Sequence, residues 1–397
     1  MIEKWFENDP AQCKSAYSFG PISTKTTTMQ IRYTNLLFIV FLATMFVNAQ
    51  KSIFQSEEYT VYSEDNEDVM VMDTLFKGRK ALMLDGNRRS IALLEGMNTK
   101  NFRVEMDIAG KVMSGLGFHA KDGLNYQFIY FRPGLGNTQE AIQYIPIYNG
   151  ALSWVFYNYP VYETKADIKS LEWFHAAFEV RGNNLKVFVN GEPEPKMDIP
   201  ILENPINGGG LLLRSLFGPS YFANITYRPL AIPEKEENSQ TKTGFLTQWE
   251  ISRQFSQDTT AQHFEGILEQ AQALDDWKSI HIPEDAYVNF AQYFEYPNGV
   301  VVAKTNIESD KAAVQHLDFD FVGRIKIILN GNTLFANKKI KFERVFDGTY
   351  TVGLPFKKGD NELVVIAEGD AAFFGKGFRY LGRNQYTNWG FVAKIKP

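Results

Sequence analysis

Residues Asn125 to Pro133 read NYQFIYFRP. The chain then runs through AIQYIPIYNGALSW (Ala141 to Trp154) and YPVYE (Tyr159 to Glu163) to WFHAAFEVRGNNLKVFVNGEP (Trp173 to Pro193). Side chains alternate along an extended segment, so Tyr126, Phe128, Tyr130 and Arg132 fall on one face and Gln127, Ile129 and Phe131 on the other. HAAFEV and LKVFV flank Arg181-Gly182-Asn183-Asn184, a Gly/Asn turn that predicts a tight hairpin. In LKVFVNG, Leu185, Val187 and Val189 share one face while Lys186 and Phe188 take the other. Two further strands are expected around the Phe217-Gly218-Pro219 turn of GGGLLLRSLFGPSYFANITYRP (Gly208 to Pro229).

The same texture of short alternating segments cut by Gly, Asn, Asp and Pro continues to the C-terminus, which makes the chain all-β. AIPEKEENSQTKT, from Ala231, is polar and nearly free of large apolar residues; it marks a linker over 231–242 between domains at 50–230 and 243–397. The best helical pattern is the short Ala261 to Asp276 stretch. No repeat of 20 to 50 residues is visible.

With 44% hydrophobic and 14% aromatic residues, the 397 positions build ample core. A formal charge of -5 provides no general basic surface, so nucleic acid is not an expected partner. Within MQIRYTNLLFIVFLATMFVNAQ, Arg32 precedes the twelve-residue apolar run Leu36 to Val47, and Val47-Asn48-Ala49 resembles a cleavage site. Twelve residues rise about 18 Å as a helix against a hydrocarbon core of roughly 30 Å. An export signal over about 29–49 is therefore expected, preceded by an upstream extension, with no permanent membrane span. The expected location is periplasmic, cell-surface or extracellular. The single cysteine, Cys13, lies in the segment removed, so the mature chain forms no disulfide.

GLGFHAKDGLNYQFIYFRP, the AIQY and YPVYE elements, WFHAAFEVRGNNLKVFVNGEP and the closing YFANITYRP resemble the concanavalin A-like lectin/glucanase sandwich, including its laminin-G-like and family 16 glycoside hydrolase or 3-keto-disaccharide hydrolase-like members. The resemblance covers roughly Ser52 to Pro229 and implies two antiparallel sheets whose curved face often holds carbohydrate. FDFVGRIKIILNGNTLFANKK, TYTVGLPFKKGDNELVVIAEG and WGFVAKI resemble a galactose-binding-like jelly roll, a smaller module that binds sugar in some proteins and braces a neighbour in others.

Glucanases of this sandwich carry a Glu-x-Asp-x-x-Glu strand. Here Glu105-Met106-Asp107-Ile108-Ala109-Gly110 lacks the last acid, so Glu105 and Asp107 read as a solvated face, and Asp85, Glu95 and Glu163 show no pairing in sequence. No Gly-x-Ser-x-Gly elbow, phosphate loop or His-Glu-x-x-His pair occurs. His119, His175, His263, His281 and His316 have no metal-ligand spacing, and no metal site is expected among them. Ser63-Glu64-Asp65-Asn66-Glu67-Asp68 has oxygens suited to calcium but no dedicated spacing, and reads as an acidic turn; no cofactor is expected. Asn224-Ile225-Thr226 fits a glycosylation triplet only formally.

Tyrosines beside a guanidinium and amides suit a pyranose, which has an apolar C–H face and a rim of hydroxyls. The candidate ligand residues are Tyr126, Tyr130, Arg132, Gln143, Tyr144, Trp154, Tyr162 and Glu163, with Trp154 at the surface and Trp173 in the core; the competing reading has Arg132 pair with Glu163 to pin a loop. In the second domain Trp249, Trp277, His281, Asn306, Arg379, Tyr386 and Trp389 are possible contacts. The expected function is glycan binding or processing by an exported protein. A glycoside hydrolase with dispersed carboxylates and a structural adhesion module contacting protein are the alternatives.

Overall fold

Alternation and Gly/Asn turns build the first sandwich. Its strands are β1 (Met72–Phe76), β2 (Arg79–Leu84), β3 (Ile91–Leu94), β4 (Phe102–Gly110), β5 (Met113–Ala120), β6 (Tyr126–Phe131), β7 (Ile142–Tyr148), β8 (Phe174–Arg181), β9 (Asn184–Val189), β10 (Met197–Pro200), β11 (Gly210–Leu216) and β12 (Ser220–Pro229). One sheet runs β10-β9-β8-β4-β12-β2-β1 and the other runs β7-β6-β5-β11-β3, with short strands Ala151–Leu152 and Tyr59–Tyr62 on its two edges. Every pairing in both sheets is antiparallel. The structure is a computed structural model and describes residues 51–52, 56–62, 71–86, 90–94, 96–203, 205–231, 243–256, 263–282, 286–295, 299–369, 379–380, 383–384 and 389–396. The expected export signal, the Ser63 to Asp68 turn, Glu95 and most of the expected linker lie outside those residues.

The β8–β9 hairpin turns at Gly182 (φ 56°), and Leu185, Val187 and Val189 face the core. The β11–β12 turn holds Phe217 at φ 63° and Gly218 at φ 140°.

The second sandwich is formed by β13 (Gln248–Ile251), β14 (Lys278–His281), β15 (Tyr287–Asn289), β16 (Gly299–Ser309), β17 (Ala313–Leu329), β18 (Asn332–Lys341), β19 (Tyr350–Phe356), β20 (Gly359–Glu368) and β21 (Gly390–Ile395). They form one curled sheet, β14-β13-β16-β20-β17-β21-β15, with β18 and β19 also on β17. The expected helical stretch yields only Ile267–Gln272.

The seventeen-residue β17 changes partners midway. Its first half pairs β19 and β21, its second half β18 and β20. Gly323, at φ 96°, sits at the change, where a Cβ would lie 2.3 Å from the Glu368 carbonyl oxygen; only glycine combines this conformation with that approach. The Asn330-Gly331 turn into β18 has φ 49° and 81°, the left-handed pair a two-residue hairpin demands.

No described strand of one sandwich pairs with a strand of the other. Their apolar interiors nevertheless join: Val322, Val345 and Val392 belong to the same buried cluster as Phe128, Tyr130 and Val155. From Asn48 onward the chain is one compact unit.

Candidate functional site

Strand β6 alternates as expected, yet both of its faces are buried. Phe131 points into the first sandwich, with ring centroids 4.9 Å from Phe174 and 6.0 Å from Phe178. On the opposite face Tyr126, Phe128 and Tyr130 are each at most 2% exposed, so the face expected to be open is covered.

Five of the eight candidate residues meet in one buried network. Gln143, opposite Tyr130 in the β6–β7 register, accepts the Tyr130 hydroxyl through Oε1 and donates through Nε2 to the carbonyls of Trp154 (3.0 Å) and Tyr157 (2.5 Å). Arg132 donates to Gln143 Oε1 (3.1 Å), to Glu140 Oε2 (2.9 Å) and to Glu163 Oε1 (2.7 Å). Glu163, 1% exposed, accepts at its other oxygen from the Tyr159 backbone N–H (3.1 Å) and from Arg344 (2.5 Å). Arg344 belongs to the second sandwich. It also donates to Asn158 Oδ1 (2.8 Å), lies 3.1 Å from Glu140 Oε2 and covers the Trp154 ring at 5.4 Å. Burial lowers the pKa of this guanidinium, but Glu163 and Glu140 outweigh burial and hold it above its ordinary value. Val345 N–H donates to the Val155 carbonyl (2.9 Å) and Asn158 Nδ2 to that of Val345 (3.1 Å), closing the seam.

The pairing of Arg132 with Glu163 therefore forms within the first sandwich, and Arg344, on the other Glu163 oxygen, carries it across to the second. Trp154, expected at the surface, is only partly exposed and stands edge-on to Phe342 at 6.2 Å. Tyr144 faces inward, donating to Gln127 Oε1 (2.5 Å) and accepting from Leu202 N–H (2.7 Å); Tyr162 packs edge-on to Tyr157 at 5.6 Å. Trp173, expected in the core, lies partly exposed on the outer face of the first sheet beneath Arg79, 5.2 Å from its ring. That face also carries Glu105 and Asp107. Asp107 takes Arg79 (2.5 Å), His175 Nδ1 (3.0 Å) and Asn224 Nδ2 (2.5 Å), the last from a bulge residue at φ 51°; Glu105 takes Arg103 (2.5 Å). Glu105 is thus ion-paired on a partly exposed face as expected, whereas Asp107, 8% exposed, is buried beneath its partners.

Of the eight candidates in the first sandwich, Tyr126 lines an open cleft. Its hydroxyl accepts from Arg214 (2.5 Å), and it stands beside Lys121, Asn125, Gln127, Tyr148, Glu203, Asn207 and, from the second sandwich, Gln292. The cleft encloses ≈ 140 Å³. At about 30 Å³ per water, it admits a few waters or one terminal group of a larger ligand.

Its polar walls are held from behind. His119, buried at φ 49°, places Nδ1 2.7 Å from Glu203 Oε2 and Nε2 3.0 Å from the Lys100 carbonyl. Both ring nitrogens thus face oxygen atoms, which fixes the orientation of the ring. Glu203 Oε1 accepts Asn207 N–H (3.2 Å), and Tyr148 donates to the Leu202 carbonyl (3.0 Å). Asn149 N–H donates to Asn125 Oδ1 (3.0 Å), and its side chain donates to Ala291 O (2.9 Å), bracing the cleft against the second sandwich. The sequence reading missed Lys121, Asn125, Glu203, Asn207 and Gln292; the density of Asn, Pro and Gly over 203–209 was the one local signal.

In the second domain, Trp249 and Trp389 are core residues, at 2% and 0% exposure. Trp277 is partly exposed, and His281 and Asn306 are exposed. Tyr386 and the side chain of Arg379 lie outside the described residues. Among the described residues no group of three or more His, Cys, Asp or Glu is placed to hold a metal, and no helix is long and apolar enough to cross a membrane.

No family model matches the chain, and no curated protein matches it. Solved structures do. The carbohydrate-binding module CBM66 from Bacillus subtilis is 20% identical, covering 44% of this chain and 99% of that one at a TM-score of 0.34. A putative glycosyl hydrolase from Parabacteroides distasonis is 12% identical, covering 47% and 96% at 0.33. Domain 4 of an extracellular arabinanase from Geobacillus stearothermophilus, in complex with arabinotriose, is 18% identical, covering 44% and 84% at 0.29.

Proposed function

We propose that this chain is an exported carbohydrate-recognition protein that holds the end of a glycan in the cleft lined by Tyr126, Tyr148, Lys121, Gln127, Asn207 and Gln292. The observation that carries the reading is the chemistry of that cleft. Two phenols and a set of amides stand fixed around a volume of ≈ 140 Å³, offering donors and acceptors at a rim rather than an apolar hole. Hydroxyl-rich ligands are recognised by such fixed polar groups, because a buried partner left unbonded penalises the wrong ligand. The aromatic face of β6 contributes the wall behind Tyr126, and its remaining residues hold the sandwiches together.

Binding is favoured over hydrolysis for a specific reason. A carboxylate pair about 5 to 10 Å apart is needed for glycoside cleavage, and Glu203 is the only carboxylate among the described residues lining this cleft. Its partner is His119.

A broad glycan panel tests the proposal on the mature protein, followed by Lys121→Ala, Tyr148→Phe and Asn207→Ala. Each variant is expected to weaken binding roughly ten-fold, the effect of about 1.4 kcal/mol, while Trp154→Ala leaves glycan affinity in place and lowers thermal stability. A blank panel, or binding that survives all three cleft variants, removes the reading. Release of reducing sugar from the same glycans would turn it toward an enzyme.

A further inference from the structure

Strands β13, β14 and β16 present one face to the interior of the second sandwich and the other outward. Trp249, Ile251, Ile280 and Ala303 are buried. The residues between and beside them, Gln248 and Glu250, Ser279 and His281, Lys304 and Asn306, line a shallow cleft of ≈ 480 Å³. Cross-strand register makes neighbours of them: Gln248 opposite His281, Glu250 opposite Ser279 on one side and opposite Lys304 on the other.

Alternation alone yields a solvated sheet face, but two further observations distinguish this one. Its floor is organised: the Lys304 ammonium lies 3.9 Å from the centroid of the Trp277 ring and 3.5 Å from Glu250 Oε2. Trp277 in turn packs against the small apolar cluster under the helix Ile267–Gln272, so its indole fixes Lys304 from beside the cleft. The remaining polar side chains are uncommitted. Among the described residues, Gln248, Ser279, His281 and Asn306 make no side-chain hydrogen bond within the protein, whereas the side chains of Tyr126, Gln127, Tyr148 and Glu203 in the first cleft are all bonded internally.

We propose that this cleft is a second ligand site, for a hydroxyl-rich segment such as two or three sugar units laid along the sheet. Its volume falls within the roughly 300–1,000 Å³ of small-molecule sites. Amide, imidazole and hydroxyl groups project in rows across three strands, and such rows match the repeated hydroxyls of an extended chain. Glu250 accepts a vicinal pair, and Lys304, held against Trp277, donates.

The site makes no use of the first cleft, and its test is separate. Of the six tryptophans, Trp5 falls in the segment expected to be removed on export, so the mature protein gives five side-chain indole N–H signals in a nitrogen-proton NMR spectrum, and Trp277→Phe assigns the one that matters. Laminaritriose, xylotriose, arabinotriose and chitotriose, each titrated to millimolar concentration, are the probes. At least one is expected to shift the Trp277 indole and His281 ring signals while the Trp154 indole stays still. The variant carrying Gln248→Ala and Asn306→Ala is expected to bind that sugar at least ten-fold more weakly with an unchanged spectrum elsewhere. Silence of Trp277 and His281 toward all four sugars, or a shift undiminished in the double variant, overturns the proposal. Lys121→Ala and Tyr148→Phe, which disable the first cleft, are expected to leave the Trp277 response intact, so either site can fail without the other.

Discussion

The seam between the sandwiches and the outer face of the first sheet contain the same ingredients, arginine and glutamate beside aromatic rings, in different surroundings. At the seam Glu163 sits between Arg132 and Arg344 with 1% of its side chain exposed. On the outer face Glu179 sits between Arg103 (3.2 Å) and Arg181 (2.6 Å), at 19% exposure with its partners at 21% and 42%. The first charge has no water to retreat to, and the second does. Removing a partner from a buried pair strands the survivor in a medium that cannot solvate it, whereas solvent takes up an exposed survivor. The comparison teaches that location, rather than residue type or bond length, sets what an ion pair does for the fold.

Glu163→Ala should therefore produce the largest effect, a loss of about 3 kcal/mol, because it leaves Arg132 and Arg344 to share the single, more exposed Glu140. Urea denaturation followed by both far-ultraviolet dichroism and Trp154 fluorescence measures it. A loss below about 1 kcal/mol would mean that the seam is wetter than its geometry indicates. A double-mutant cycle sharpens the contrast: coupling between Glu163 and Arg344 should exceed that between Glu179 and Arg103, which falls within about 0–1 kcal/mol.

High pH probes the buried tyrosines of β6, one at the cleft and one at the seam. Burial pushes the Tyr126 hydroxyl up to about 12 against the opposing charge of Arg214, and burial raises Tyr130 as well, against Arg132. An unfolded tyrosine releases its proton near ~10. Below that value both states hold the proton and the contribution is complete. Above it the unfolded chain ionises first, so stability should decline from about pH 10 toward 12. Tyr130→Phe should flatten that decline.

Low pH probes the outer face, with the smallest effect. Burial pushes the Glu179 carboxyl up, but Arg181 and Arg103 outweigh it and hold the group below the ordinary range. Its contribution is complete above the unfolded value near ~4.3 and disappears as pH falls through the lower folded value. Glu179→Gln should remove this acid-side slope and cost less than about 1 kcal/mol at neutral pH.

Much of the architecture was legible because strand alternation and turn chemistry are local. Arg181 to Asn184 and Phe217 to Pro219 each announced a hairpin that formed, and the faces of β6 and β9 divided as their alternation predicted. The candidate site was legible only in part. Alternation states which side chains share a face but not what lies across from them. Tyr130, Arg132 and Glu163 do share surroundings, yet the group that covers them, Arg344, stands 181 residues after Glu163. Trp173 misled for a related reason: large aromatic rings serve equally in a core and under an arginine at a sheet surface. The two clefts left still fainter traces, since loop residues such as Asn207 and cross-strand rows such as Gln248 and His281 become neighbours only after folding.

The bend at Gly323 has a consequence for synthesis. Every strand of the first sandwich precedes residue 230 and is available early as the chain emerges, whereas β17 needs partners that extend to Ile395. Domains form N-terminal first at the pace of translation. During that interval Glu163 has Arg132 but not Arg344, and Trp154, Phe156 and Tyr157 lack the rings of Phe342 and Tyr287. The nascent first sandwich thus presents those rings to solvent until the last six-residue strand completes the second sandwich.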